Sequence, residues 1–224
     1  MKCDFIKKQT VKDKLYHNKI LMVDVKIDYP SLTQGYMGDS MRFNMYYRQK
    51  AHKNYRYVST KLYQAAIKQY TVAKSQGFPF NNFEFVEVYE PTYCTKPIVS
   101  LYYDLYEFLG GAHGNTTRKG NTWDMRRGTM LSMESLFDRD FDYKPIIQKY
   151  VEADARRRQI TGMASYFEGL AENLKKYFDE NNFYLTEEGI AIFYPLYTIA
   201  PYVAGIQVFI IPYQLFGDKL KYKL

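Results

Sequence analysis

Ile98-Val99-Ser100-Leu101-Tyr102-Tyr103-Asp104-Leu105-Tyr106-Glu107-Phe108, followed at once by Leu109-Gly110-Gly111-Ala112-His113-Gly114-Asn115-Thr116, is the stretch on which the reading of this chain turns. Val99, Leu101, Tyr103 and Leu105 alternate with more polar neighbours, the period of a half-buried strand. Three glycines then crowd one histidine. Glycine is used where the backbone needs positive φ or where no side chain fits, so the segment is a sharply shaped loop leading from one strand into the next. It is not a phosphate cradle, because no Gly-Lys-Ser/Thr and no helix start follow. Strands joined by short turns pair antiparallel, and that decides the fold class.

Toward the N-terminus, residues 1 to 18 are polar and lysine-rich and read as a loose entry. Ile20 to Tyr29 is a strand, with Leu21, Val23, Val25, Ile27 and Tyr29 on one face and Met22, Asp24, Lys26 and Asp28 on the other. Pro30-Ser31 ends it and a glycine-bearing loop runs through Gly38. Asp39 or Ser40 then caps a helix whose stripe is Phe43, Tyr47, Ala51, Tyr55, Val58, Leu62 and Ala66. Gly77 and Pro79 stop this helix near Gln76, after a length on the order of 50 Å. Phe83 to Tyr93 and Ile98 to Phe108 are strands separated by Thr95-Lys96-Pro97.

Beyond the glycine loop, Thr116 to Met125 forms a further strand and Arg126-Arg127-Gly128 a turn. Pro145 opens a helix with an apolar face of Ile147, Tyr150 and Val151, and Gly162 stops it. Ser165 and Glu168 have the spacing of a capping box ahead of a short helix carrying Phe167, Leu170, Leu174 and Phe178. Phe183 to Leu185 and Ile190 to Tyr194 flank a hairpin connection ending in Gly189. Pro195 to Gly205 is a tyrosine- and proline-rich loop. Ile206 to Ile211, closed by Pro212, is an apolar run broken by Gln207 alone and suited to a buried strand.

The order β-α-β-β-β-α-α-β-β-β implies an α+β fold. It has mainly antiparallel sheets, one long N-terminal helix and two shorter C-terminal helices. Two small modules are expected, 15–108 with the order β-α-β-β and 109–216 with the order β-α-α-β-β-β.

Composition narrows the function classes. The chain has 224 residues and is 46% hydrophobic, with 24 tyrosines. Tyrosine joins a large apolar face to a hydroxyl and suits both sheet surfaces and contact sites. The net charge of +7 favours anionic partners. No nucleic-acid motif accompanies it, and none of that binding is expected. Arg156-Arg157-Arg158, the densest basic cluster, complements the C-terminal end of a helix. The two cysteines, Cys3 and Cys94, are too few for a disulfide scaffold and lack zinc spacing. A single bridge, or lipid attachment at Cys3, is open. No segment has the apolar length of a membrane span.

The three histidines, His17, His52 and His113, form no ligand pair, and no HExxH or Gly-x-Ser-x-Gly occurs. No metal and no cofactor is therefore expected. Of the carboxylates, Glu187 and Glu188 fall in a turn. Asp104 interrupts an apolar strand and is either a polar-face residue or, with His113, the seed of a hydrolytic site. His113 reads either as a ligand contact, with Asn115 beside it, or as a ring that satisfies loop carbonyls. Pro195, Tyr197, Pro201 and Tyr202 are the leading binding residues: proline stiffening lowers the entropy lost on binding, and tyrosine gives rigid contacts.

The run Gly110-Gly111-Ala112-His113-Gly114-Asn115 continues into Arg118-Lys119-Gly120-Asn121-Thr122-Trp123-Asp124, Arg127-Gly128 and Leu136-Phe137. Similar motifs return at Asn182-Phe183-Tyr184-Leu185, Glu188-Gly189-Ile190, Tyr197-Thr198-Ile199-Ala200-Pro201-Tyr202, Ala204-Gly205 and Ile211-Pro212. Together they resemble the extracytoplasmic module shared by lysozyme-sensing anti-sigma factors and some bacterial peptidoglycan deacetylases. The strand ending in Tyr29-Pro30 and the long helix are similar to the companion N-terminal module.

The resemblance implies a two-part α+β unit outside the cytoplasm, without catalysis of its own, and tethered to the membrane only by a segment absent from this chain. It implies recognition of a lysozyme-like protein or a cell-wall glycan. The Asp-Asp and His-x-x-x-His metal pattern of a polysaccharide deacetylase is absent. The basic charge fits an anionic wall polymer better than lysozyme, which is itself basic. A hydrolase acting on cell-wall glycan near His113 and Asp104 is the alternative.

Overall fold

The computed structural model describes residues 3–33 and 40–222. The loop through Gly38 and the cap assigned to Asp39 lie outside the described residues. The fold is α+β, with strands β1 (Ile6–His17), β2 (Ile20–Leu32), β3 (Phe83–Cys94), β4 (Ile98–Phe108), β5 (Asn115–Asp124) and β6 (Thr129–Met130) in one sheet, ordered β1-β2-β3-β4-β5-β6. Strands β7 (Phe183–Leu185), β8 (Gly189–Tyr194) and β9 (Gln207–Pro212) form a second, antiparallel sheet. The helices are α1 (Ser40–Tyr57), α2 (Tyr63–Gln76), α3 (Lys144–Ile160) and α4 (Leu170–Lys176). The described residues fall into two compact units. One holds Cys3–Glu90 and Tyr103–Thr117, the other Pro91–Tyr102 and the chain from Arg118 onward.

In the first unit, residues 6–17 are not a loose entry but a strand. β1 pairs antiparallel with β2 from Ile6↔Leu32 to His17↔Ile20 through a turn at Asn18 and Lys19, both at positive φ. Val11 and Leu15, four residues apart, are half-buried, and lysines fill much of the rest. An edge strand needs only one weakly apolar face, and lysine on its open side discourages further pairing. That composition hides the strand from a hydrophobic-period search.

β2 pairs parallel with β3, Val23↔Phe83 through Ile27↔Glu87. A parallel pair needs a crossover, and the long helix supplies it. Phe43, Tyr47, Ala51, Val58, Leu62 and Ala66 of the expected stripe are all buried, and Tyr55 is half-buried. From Ala51 to Ala66 they pack on Val23, Val25, Ile27, Phe83 and Phe85.

The helix is interrupted by a π turn over Val58–Leu62, closed by the Tyr63 N–H donating to the Val58 carbonyl. On an unbroken α-helix, Ala66 would sit about 140° around the axis from Phe43 at about 100° per residue. The extra residue of a π turn takes back about 100°. The turn thus returns Leu62 and Ala66 to the sheet. The Ser59 and Thr60 hydroxyls both donate to the Arg56 carbonyl, at 3.3 and 2.6 Å, satisfying backbone beside the irregular turn.

In the second unit, Ile147, Val151 and Ala155 of α3 and Leu170 and Leu174 of α4 share a core with Leu185, Ile190, Ile192, Phe209 and Ile211. The opposite face of this sheet, with Tyr184, Ala191 and Phe193, packs with Tyr102, Val208 and Ile210. β8, the central strand, is therefore buried at every residue, while β9 alternates buried and half-buried. The run of β9 suits a buried strand, but only alternate residues are fully covered; β8 has both faces covered. The Ser100 hydroxyl lies 2.8 Å from that of Thr122 and accepts the Leu185 N–H at 2.8 Å, linking β4, β5 and β7 in the interior.

The capping box does not form. α4 begins after Gly169, which has φ +70, with no side-chain cap at that position. The helix thus starts five residues beyond Ser165.

Deleting Ser59 should straighten the π turn and rotate Leu62 and Ala66 off the sheet. The expected loss is about 2–5 kcal/mol, the range for removing one large buried side chain. Urea unfolding checks this; an unchanged midpoint would contradict the assigned role of the turn.

Candidate functional site

Pro195, Tyr197, Pro201 and Tyr202 share the loop between β8 and β9. Its middle is anchored by Ile199 and Ala200, which are buried in the core. Short bonds brace the rest. The Pro195 carbonyl accepts the Thr198 hydroxyl at 2.6 Å, the Pro201 carbonyl accepts the Ala204 N–H at 3.0 Å, and the Gln207 amide donates to the Ala204 carbonyl at 2.6 Å. The Ile199 carbonyl accepts the Phe167 N–H at 3.0 Å.

On this frame the Tyr197 and Tyr202 rings stack, 5.5 Å between centroids and 29° between planes. Tyr197 is 54% exposed and Val203 92% exposed, with Pro195 also at the surface. Tyr197 has φ +61, a left-handed conformation that is rare and costly for a bulky residue. The backbone holds the ring outward against its local preference. Neither the positive φ nor the ring stack could be read from the spacing of the tyrosines.

His113 and Asn115 belong to the other unit, and both are exposed. The His113 Nδ1–H donates to the Gly114 carbonyl at 3.0 Å. The glycines around it have separate structural reasons. A Cβ on Gly114 would lie 2.2 Å from the Tyr106 ring. Gly110 has φ +77, and its carbonyl accepts the Asn81 side-chain amide at 3.4 Å. Asp104 is half-buried on β4. Among the described residues, no three His, Cys, Asp or Glu side chains cluster as metal ligands. No described helix is long and apolar enough to cross a membrane. Both cysteines are disulfide-bonded, so in this form the Cys3 sulfur is not open to a lipid thioether.

A buried polar cluster in the first unit escaped the sequence. Glu87 lies on the helix-facing side of β3, where a carboxylate replaces an apolar residue in the Phe83, Phe85 series. It accepts the Lys50 ammonium at 2.5 Å and the Asn54 amide at 2.6 Å. The Lys50 Nζ sits 3.6 Å from the centroid of the Tyr103 ring. Side-chain exposure is 15% for Lys50 and 3% for Glu87. Burial holds the Lys50 ammonium below its ordinary range, with Glu87 opposing that shift. The i, i+4 spacing of Lys50 and Asn54 was a visible signal, but only the strand register supplies their partner.

The fold and site together describe a two-part α+β module with a braced pair of stacked rings, one exposed and one half-buried. Comparison with known proteins agrees in class. Residues 17–116 match the family described as Deacetylase PdaC, and residues 134–214 match the Protein of unknown function (DUF3298) family. The chain is 27% identical over 135 residues to the peptidoglycan-N-acetylmuramic acid deacetylase PdaC of Bacillus subtilis. That match covers 59% of this chain and 28% of the relative. The chain thus spans under a third of the curated relative's length.

Two crystal structures share the fold. A DUF3298 family member from Bacteroides fragilis has a TM-score of 0.70 at 17% identity, covering 97% of this chain and 93% of that one. A DUF3298 family protein from Pseudomonas aeruginosa has 0.64 at 16%, covering 96% and 94%. The resemblance to the deacetylase-associated module, expected from the motifs, holds.

Lys50→Met leaves Glu87 buried without its cation and should cost about 3–5 kcal/mol, whereas Lys50→Met with Glu87→Leu should recover most of that. Additive losses in urea unfolding would contradict a coupled pair. The Tyr89 hydroxyl is pushed up to about 12, first by burial and then by the Asp28 and Glu90 carboxylates. Its ordinary value is 10.0. A raised folded-state value contributes stability below pH 10 that is lost as pH climbs through about 12. Tyr89→Phe should flatten the alkaline fall of the urea midpoint over that window, and an identical slope would count against it.

Proposed function

We propose that this chain is a non-catalytic recognition module of the cell envelope and that it grips cell-wall glycan through the Tyr197–Tyr202 ring pair. The observation that carries this reading is the stacked pair on a braced loop, Tyr197 exposed and Tyr202 half-buried beside it, with Tyr197 held at positive φ. Strain kept in an exposed aromatic is a reason to look for a ligand. A rigid ring presents an apolar face to the C–H face of a sugar and loses little entropy when it does so. The relative in Bacillus subtilis is named for acting on peptidoglycan, which supports a wall ligand. The disulfide-bonded cysteines support an oxidising compartment, outside the cytoplasm. The flanking residues Pro195, Pro201 and Val203 complete the contact surface, and His113 and Asn115 are assigned a minor contact on the first unit.

The test is co-sedimentation with purified peptidoglycan, run in parallel with immobilised lysozyme. Wild type should be retained on peptidoglycan. Tyr197→Ala and Tyr202→Ala should each weaken retention about tenfold, corresponding to about 1.4 kcal/mol of ring contact, with the melting temperature unchanged. Retention on lysozyme alone would move the ligand to a protein, and unchanged retention by both variants would reject the loop. Release of sugar or acetate that is lost with Asp104→Asn would replace binding with hydrolysis.

A further inference from the structure

The basic residues of α3 and α4 divide into two sets. Arg157 and Arg158 both pair with Asp154, and Arg158 also lies 4.6 Å from the Phe209 ring centroid. Lys144 pairs with Glu180. These charges are tied into the unit itself. Lys149 and Lys175 have no partner among the described residues.

Both lysines line one groove of about 480 Å3, together with Pro145, Gln148, Glu152, Ala153 and Arg156. Glu152 is held by Arg156 at 2.8 Å. With Arg156 and Glu152 paired to each other, the lining leaves two cations, Lys149 and Lys175, unbalanced. Lys149 and Arg156 are seven residues apart on one helix face, about 10 Å along the axis at 1.5 Å per residue. Lys175 approaches from the neighbouring helix.

We infer that this groove is an anion-binding site, separate from the tyrosine loop, for a flexible polymer carrying repeated single negative charges. The lining chemistry selects among polyanions. Single-stranded nucleic acid is held by aromatic stacking as well as charge, and no ring lines the groove. A membrane surface needs an apolar face to bury, and Pro145 and Ala153 are too small a patch to provide one. What fits is a chain of phosphodiesters or of carboxylates without bases, met by ammonium and guanidinium groups and by the Gln148 amide.

The experiment measures binding of the full chain to a glycerol-phosphate oligomer and to a uronic-acid oligomer across a salt series. A uridylate oligomer and anionic phospholipid vesicles serve as comparisons. At low salt, one or both of the first two probes should bind, and which one binds better identifies the source of the charge. With the two unpaired lysines engaged, log K should fall with log salt at a slope of about −1.4, from about −0.7 per contact. Lys149→Gln with Lys175→Gln should weaken binding at least tenfold and make the slope shallower by about 1.4.

Lys61→Gln with Lys68→Gln, on the exposed side of the other unit's helix, removes the same net charge and should leave binding unchanged. Equal weakening by both pairs would mean diffuse attraction to a basic protein and would overturn the proposal. So would stronger binding of uridylate or vesicles than of either polymer probe, or no binding at low salt. Tyr197→Ala should not affect this binding, so the groove and the tyrosine loop fail or stand independently.

Discussion

The parallel register of β2 and β3 is the constraint on which the first unit depends. Two parallel neighbours cannot be joined by a tight turn, so the chain between them has to cross a face of the sheet. That crossing is α1, the π turn and α2, and their burial on Val23, Val25, Ile27, Phe83 and Phe85 makes the core. A straight helix of this length turns its stripe away from a flat support. The added residue at Val58–Leu62 corrects the phase, so the irregularity follows from the length of the crossover. The same register puts Glu87 opposite Ile27 under α1, where Lys50 and Asn54 meet it. One strand pairing thus determines both the apolar core and the buried ion pair.

The elements that could be read from the sequence are those with a strong period. The stripe from Phe43 to Ala66, the strands on either side of Thr95-Lys96-Pro97 and the helix opened by Pro145 all appear where their patterns put them. β2 is a strand as its pattern indicates, but Met22 and Asp28, expected on the polar face, are buried, and pairing with β1 carries the strand through Pro30-Ser31 to Leu32. β1 was missed because an edge strand buries little and this one is filled with lysine. β9 is buried only at alternate residues because an apolar run does not say how many faces are covered. The capping box between Ser165 and Glu168 fails because α4 begins only after Gly169, which stands at its N-terminus in a left-handed conformation. Each miss concerns information held in a partner strand or a packed face.

The site was legible in composition more than in geometry. Prolines and tyrosines marked the 195–205 loop, and the structure adds the ring stack, the positive φ of Tyr197 and the buried anchors Ile199 and Ala200. The glycine–histidine loop is shaped by packing: Gly114 makes room for the Tyr106 ring, and Gly110 supplies a left-handed turn. The motif that identifies the family resemblance therefore has a clear structural role, while the stacked aromatic pair lies elsewhere in the chain. The spacing of Lys50 and Asn54 shows that they share a helix face, but Glu87 is 37 residues from Lys50 and becomes its neighbour only through the crossover.

The central functional claim is that the rings of Tyr197 and Tyr202 meet the ligand and no bond is broken. Side-chain NMR of the tyrosines during titration with soluble peptidoglycan fragments addresses it directly. The account predicts shifts concentrated in Tyr197, Tyr202 and the backbone of 195–205, with the fragments recovered intact. Shifts centred on His113 and Asp104, or fragments cleaved during the titration, would contradict it.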